Sequence, residues 1–250
     1  MKIYFERLFF KKGVRKMRLI NLGIKRVIDI LASGIAIVML LPLEIGIAIA
    51  IKMDSKGPIL FRQERRSLNG KIFRMLKFRT MVVDAEKQGT GLFNFKNDPR
   101  VTRIGRKLRD SSLDELPQLL NVFWGDMSLV GPRPCVSYEL GDFDTLNDKY
   151  KKRFRVKAGM TGLAQISGRN DISWDQKVEY DNQYVELFEK MGILVDIRIL
   201  FISFFKVFKK TDIYEVKTDD SISDLEAAKL AEEEVIRLAH LPDKASGECK

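Results

Sequence analysis

The sequence predicts a mainly α-helical protein with one small β-element, held at a membrane by its N-terminal third. Three observations carry this reading. The apolar run from Ile30 to Ile51 has the length of a bilayer-crossing helix, which takes about 20 residues. Two long downstream segments, Trp174 to Met191 and Ile193 to Phe208, carry apolar residues at helical spacing. Asn69-Gly70 separates two short apolar stretches, a strong hairpin signal.

Residues 1–26 are basic with scattered Ile, Leu and Phe and read as an interfacial amphipathic helix or a flexible lead-in. Residues 27–52 form the membrane segment. Basic residues crowd both of its sides, and cytoplasmic flanks are the ones that carry excess Lys and Arg. Both flanks therefore ask for the same face, which one straight crossing does not give. Pro42 lacks a backbone donor and clashes with the preceding turn, and Glu44 is an acid near the middle of the run, costly in hydrocarbon. Two forms satisfy this: a re-entrant helix broken at Pro42 that dips in and returns, or a kinked anchor with Glu44 near one interface. Length and position argue against a cleaved signal peptide.

Residues 53–215 read as the main domain. Lys56-Gly57-Pro58 marks a turn, and Ile59–Phe61 and Ile72–Phe78 are the two strands around Asn69-Gly70. Residues 82–100 read as a loop closed by Asp98-Pro99. Short helices are expected from Val101 to Leu108 and from Leu116 to Trp124, the second stopped by Gly125. Gly131-Pro132-Arg133-Pro134 is a rigid turn, residues 136–156 look helical, and the Gly-rich 157–170 reads as a loop with a short strand. Asp196 and Arg198 make 193–210 a poor crossing helix. Its Phe201, Phe204, Phe205 and Phe208 beside Lys206, Lys209 and Lys210 suit an interfacial helix, with a buried core helix as the alternative. Residues 216–250 form an acidic tail, helical or disordered.

The net charge is +10, concentrated beside the membrane segment, where anionic lipid headgroups are the expected partner and nucleic acid is not. Two cysteines, Cys135 and Cys249, fit neither a metal spacing nor a disulfide framework. His240 is the sole histidine, which disfavours Ser-His-Asp, Cys-His and His-zinc chemistry. Acids, bases and nucleophiles must come mostly from Asp, Glu, Lys, Ser, Tyr or Cys.

Ser112-Leu113-Asp114-Glu115 has the spacing of a capping box. The same residues also place two adjacent carboxylates, Asp114 and Glu115, where a helix N-terminus attracts phosphate, one to attack and one to hold a divalent cation. Arg133 between two prolines presents a pre-aimed guanidinium suited to phosphate, or simply belongs to a structural turn. Lys77 and Arg79 lie two apart on a strand, and Arg169 follows a Gly-rich loop; each is a phosphate-binding candidate or a solvated charge. Several cations, two acids and no histidine suit phosphoryl transfer, where positioning and charge stabilisation dominate. The Walker pattern is missing, which disfavours a P-loop hydrolase.

In order along the chain stand KRVIDILA, GPILFRQER, KIFRMLKFRTM, SLDELPQLLNVFWGDMSLVGPRP and KAGMTGLAQISGRNDISW. As an ordered set spanning about residues 22–212 they resemble the bacterial sugar transferases, monotopic polyprenol-phosphate phosphoglycosyl transferases. The resemblance implies transfer of a sugar 1-phosphate from a UDP-sugar to undecaprenyl phosphate on the cytoplasmic face of the bacterial inner membrane, beginning polysaccharide or glycan assembly. It implies Asp114 as nucleophile, a covalent phosphosugar-enzyme with release of UMP, Glu115 as a ligand of Mg2+, and Arg133 and Lys77 as phosphate contacts. It implies a monotopic fold with one re-entrant helix, broken in relatives at Ser-Pro; here the pair is Leu41-Pro42, without the hydroxyl. The tail lies beyond the resemblance and is left to disorder, homodimer formation or docking of downstream glycosyltransferases. Two rival readings are a non-enzymatic membrane-anchored basic binding module and a single-span anchored phosphatase.

Overall fold

The computed structural model describes residues 2–85, 98–167 and 173–209, with side chains from residue 17 to residue 205. Helix α1 (Lys2–Asp54) is followed by an antiparallel hairpin of β1 (Leu60–Arg66) and β2 (Ile72–Phe78). Then come α2 (Arg103–Asp110), a 3-10 turn (Leu113–Glu115), α3 (Gln118–Trp124) and β3 (Ser128–Val130). Next are α4 (Asp148–Lys152), β4 (Gly159–Thr161), α5 (Leu163–Ser167), α6 (Trp174–Met191) and α7 (Ile193–Lys209). The mainly helical expectation holds. The β-content is larger than expected, because β3 and β4 pair in parallel as a second two-stranded sheet.

Local chemistry explains most boundaries. Asn69 and Gly70 both take positive φ, 54° and 76°, the conformation that Asn and Gly tolerate best. Gly125 caps α3 at φ 95°, and Ser173 with Gln176 closes a full capping box on α6. The helix expected over 136–156 is not formed: turns occupy most of it, and only Asp148–Lys152 is α-helical, capped by Asn147. The short polar side chains of Asp142, Thr145 and Asn147 bond to neighbouring backbone and so compete with helix.

The membrane segment also differs from its expected form. The basic lead-in and the apolar run are one helix, and α1 is helical on both sides of Pro42 without an interruption. The main domain grips this helix at two places. Upstream, buried Lys25 donates to Val130 O at 2.8 Å and pairs with Asp196 of α7. Asp29 accepts from Leu129 N at 2.9 Å and Ser128 Oγ at 3.1 Å, while Arg26 donates to Val122 O and Phe123 O. Downstream, Ile47 and Ile51 are buried with Phe78 and Leu108, and Asp54 accepts from Ile104 N at 2.9 Å. Between these grips Ile35, Val38, Met39, Leu41, Leu43 and Ile45 are exposed. Helix α7 shares both expected characters. Val195, Asp196 and Ile199 are buried against α6 and α1, and Leu194, Ile197, Phe201, Phe204 and Phe205 are exposed.

Candidate active site

The 3-10 turn carrying Asp114 and Glu115 begins at Ser112, which adopts a left-handed conformation (φ 56°) and makes no side-chain cap. The capping-box reading of Ser112–Glu115 is therefore overturned, since α3 starts only at Gln118 with Pro117 at its N-cap. Without that duty Glu115 is aimed elsewhere. Its Oε1 accepts from Lys77 Nζ on β2 and from Arg133 Nη2 on the Pro-Arg-Pro turn, both at 3.0 Å. Leu113 and Leu116 flank the acids and pack against Ile47, Ile51, Phe78 and Leu108. Helix α1 thus supports the turn that carries the acids.

The two carboxyls sit in opposed environments. For Asp114, burial dominates and raises the pKa; Lys77 opposes it and Glu115 adds to it. Asp114 accepts no hydrogen bond from the described residues. Glu115 is also desolvated, but Arg133 and Lys77 outweigh burial and hold it far below the usual carboxylate range. Paired acids whose environments push them apart can divide roles: Glu115 is held as an anion by two cations, and Asp114 is left without a hydrogen-bond donor among the described residues.

The Pro-Arg-Pro turn is braced from both sides. Arg65 Nη1 donates to Pro134 O at 2.9 Å, and Arg153 Nη2 donates to Arg133 O at 2.6 Å. Arg153 is itself buried against Asp181 of α6 at 2.9 Å. Gly131 permits the turn to lie on β4, where an added Cβ would stand 2.3 Å from Lys157 O.

Of the sequence-predicted residues, the fold brings together Asp114, Glu115, Lys77 and Arg133. It does not bring Arg79. That side chain is buried and donates to Ser55 O (2.8 Å) and Lys56 O, closing the C-terminal end of α1. The phosphate role expected of Arg79 gives way to a tether, because the strand ends at Phe78 and its neighbour turns toward α1. Arg169 lies outside the described residues, as does the tail. Two cations escaped the sequence reading. Arg109, at the end of α2, acts electrostatically on Asp114 and donates to Thr80 Oγ1 at 2.9 Å. Arg65 stands beside Arg133. The signal for Arg65 was available: alternation on β1 puts Phe61, Gln63 and Arg65 on its less exposed face.

No group of three or more His, Cys, Asp or Glu side chains among the described residues is arranged to hold a metal. Mg2+ does not require one, since it is commonly held by one or two carboxylates together with substrate phosphates. Adjacent Asp114 and Glu115, with one Glu115 oxygen on the cations, fit that donor set.

Residues 20–210 match the model of the bacterial sugar transferase family. The chain belongs to that family. It is 40% identical over 200 residues to UDP-glucose:undecaprenyl-phosphate glucose-1-phosphate transferase of Klebsiella pneumoniae, covering 78% of this chain and 42% of that protein. It is 40% identical over 191 residues to the exopolysaccharide production protein ExoY of Rhizobium meliloti (strain 1021), covering 71% of this chain and 82% of that one. A third relative, undecaprenyl-phosphate galactose phosphotransferase of Salmonella typhimurium, is 41% identical over 192 residues, 71% of this chain and 39% of its own length. The chain thus spans about two fifths of the length of the first and third of these relatives. The family match encloses the downstream part of α1 together with both acids, Lys77 and Arg133, so the long apolar helix and the charged cluster belong to a single family unit.

Proposed function

We propose that this bacterial sugar transferase moves a sugar 1-phosphate from a UDP-sugar to undecaprenyl phosphate, in two steps through a covalent aspartyl-phosphosugar. The observation that carries it is the divided carboxylate pair, with Asp114 unbonded and Glu115 held by Lys77 and Arg133. An Asp114 oxygen attacks the sugar-bearing phosphorus. The bond from that phosphorus to the bridging oxygen breaks, and UMP leaves with the electron pair. A phosphate oxygen of undecaprenyl phosphate then attacks the same phosphorus, and the Asp114–phosphorus bond breaks to restore the carboxylate. Both nucleophiles are anions and neither step needs a base, in keeping with a chain whose one histidine lies in the tail. Lys77 and Arg133 neutralise charge gathering on the transferred phosphoryl group. Mg2+, when bound through Glu115 and substrate phosphates, would supply further charge neutralisation.

The same proposal sets the protein on the cytoplasmic face of the inner membrane, with α1 kinked at Pro42 so that it enters shallowly and both of its ends stay on that face. What supports a shallow insertion is the double grip on α1. About 20 Å of helix separates Gly34, against Phe123, from buried Ile47, at 1.5 Å per residue. A hydrocarbon core is about 30 Å thick, more than the stretch between these two points, which supports a domain kept on one side. Exposed Phe201, Phe204 and Phe205 on α7 give a second apolar face for the interface, with anionic lipids as partners of the basic flanks.

Relatives named for glucose and for galactose match at 40% and 41% identity, so a panel of UDP-sugars with UMP release as readout identifies the donor. Wild type given UDP-sugar alone should retain labelled phosphosugar on the protein, and Asp114→Asn should retain none. Equal UMP release by the two overturns the transferase reading. For topology, single cysteines at Phe5 and Lys149, in a chain with Cys135 and Cys249 replaced by Ser, should both be labelled from the cytoplasmic side. Labelling from opposite faces overturns the re-entrant path.

A further inference from the structure

Among the described residues, the hydrogen bonds of the Arg65 guanidinium go to neutral acceptors. Nε and Nη2 donate to Gln63 Oε1, and Nη1 donates to Pro134 O. No carboxylate of the described residues forms an ion pair with it. The guanidinium is held rigidly. β1 is clipped to the chain following the Pro-Arg-Pro turn by Arg66 N to Cys135 O at 3.0 Å and Ser137 N to Glu64 O at 3.2 Å, with a bridge between Arg65 and Val136. A guanidinium carries five donors, so two N–H groups remain beyond these bonds. Burial and the neighbouring Arg133 push its pKa down to about 10, only partly offset by Glu139, Cys135 and Glu115. Two guanidiniums side by side, one of them partly desolvated, are stabilised by an anion between them.

Position along the cluster says which anion. Arg133 donates to Glu115, next to Asp114, at 3.0 Å, and Arg65 donates to Pro134 O, next to Arg133, at 2.9 Å, so Arg65 lies one step further along, beyond Arg133. In an in-line displacement the leaving group departs on the side opposite the nucleophile. We propose that Arg65 binds the phosphate of the leaving nucleoside monophosphate, held ready by Gln63 and Pro134 O beside Arg133. This rests on the nucleotide-sugar reading above and assigns the leaving-group side of the same site. Gln63 acts as a positioning residue by fixing the guanidinium.

The test separates the half-reactions. Arg65→Met should weaken UMP binding by calorimetry, and UMP product inhibition, about tenfold, because a charge-assisted phosphate contact is lost. KM for the UDP-sugar should rise by a similar factor. Discharge of preformed phosphosugar-enzyme by undecaprenyl phosphate should keep its rate, since UMP has already left. Gln63→Glu, which puts a carboxylate on the guanidinium without removing the Pro134 contact, should weaken UMP binding likewise, and Arg65→Lys should restore part of it. UMP affinity within twofold of wild type in both Arg65→Met and Gln63→Glu overturns the assignment. So does an equal loss in both half-reactions, which marks Arg65 as a brace for the turn. If wild type forms no phosphosugar-enzyme, the transferase reading falls, while UMP calorimetry still decides the phosphate subsite: binding lost in Arg65→Met upholds it, and no binding to wild type overturns it.

Discussion

Two regions of this molecule use the same residue types to opposite ends. Where α1 meets β3, α6 and α7, Lys25 is held by Asp196, Val130 O and Tyr184, and Tyr184 donates to Asp196 at 2.8 Å. Asp29 takes two donors from β3. Every charge there has its partners, and the cluster is closed. Around Asp114 the balance is unequal: Lys77, Arg109 and Arg133 act on it electrostatically against Glu115, and Asp114 accepts no hydrogen bond from the described residues. Buried charge that is fully paired makes a joint; buried charge left unequal makes a site that a phosphate-bearing ligand completes.

The contrast breaks if substitutions in the two regions have the same signature. Asp114→Asn should lower phosphosugar transfer roughly 1,000-fold or more, the scale of losing a nucleophile. Its melting temperature at neutral pH should equal or exceed that of wild type. The sign follows from the raised pKa: ionising Asp114 costs more in the folded chain than in the unfolded one, so removing the charge does not destabilise. Lys25→Ala should do the reverse and destabilise by about 3–5 kcal/mol, since it strands Asp196 among buried groups. Thermal melting in detergent checks both, and a large loss of stability in Asp114→Asn would erase the distinction.

A pH profile sharpens the comparison. On the proposed mechanism transfer uses the Asp114 carboxylate, so its rate should fall in acid with a midpoint above the ordinary aspartate value of 3.8. Lys77 lowers that pKa, so Lys77→Met should move the midpoint to higher pH; a shift the other way would contradict the assigned geometry. The smallest effect concerns Arg79. Arg79→Lys should cost about 1–2 kcal/mol of stability through lost carbonyl contacts at the end of α1, with KM for the UDP-sugar unchanged. A raised KM would return Arg79 to the site.

The sequence made much of the site legible because it is local. Asp114 and Glu115 are adjacent, Arg133 sits between two prolines, and Lys77 lies on a strand that a hairpin turn announces. Arg65 and Arg109 were harder to read, for each is one Arg in a basic stretch, and only packing against the Pro-Arg-Pro turn or Thr80 separates them from solvated charge. Arg79 illustrates the converse: spacing placed it beside Lys77, but spacing along a strand says nothing after the strand ends. Residues 136–156 misled for a similar reason, since their apolar residues fit a helix while Phe143 packs across Gly70 and against Phe154.

By itself, the sequence determined the elements set by short-range chemistry: the apolar run, the Asn-Gly hairpin, the Gly125 stop, helix α6, and a histidine-poor inventory that points to carboxylates and cations. Tertiary structure alone decided what those charges do. It released Glu115 from a capping role and aimed it at Lys77 and Arg133, drew Arg79 to the end of α1, and gripped α1 on both sides of its exposed stretch. The physical reason is that charge pairing and burial depend on distances through space between residues far apart in the chain, as in Lys25 with Asp196. Propensity and periodicity report only on neighbours within a few turns.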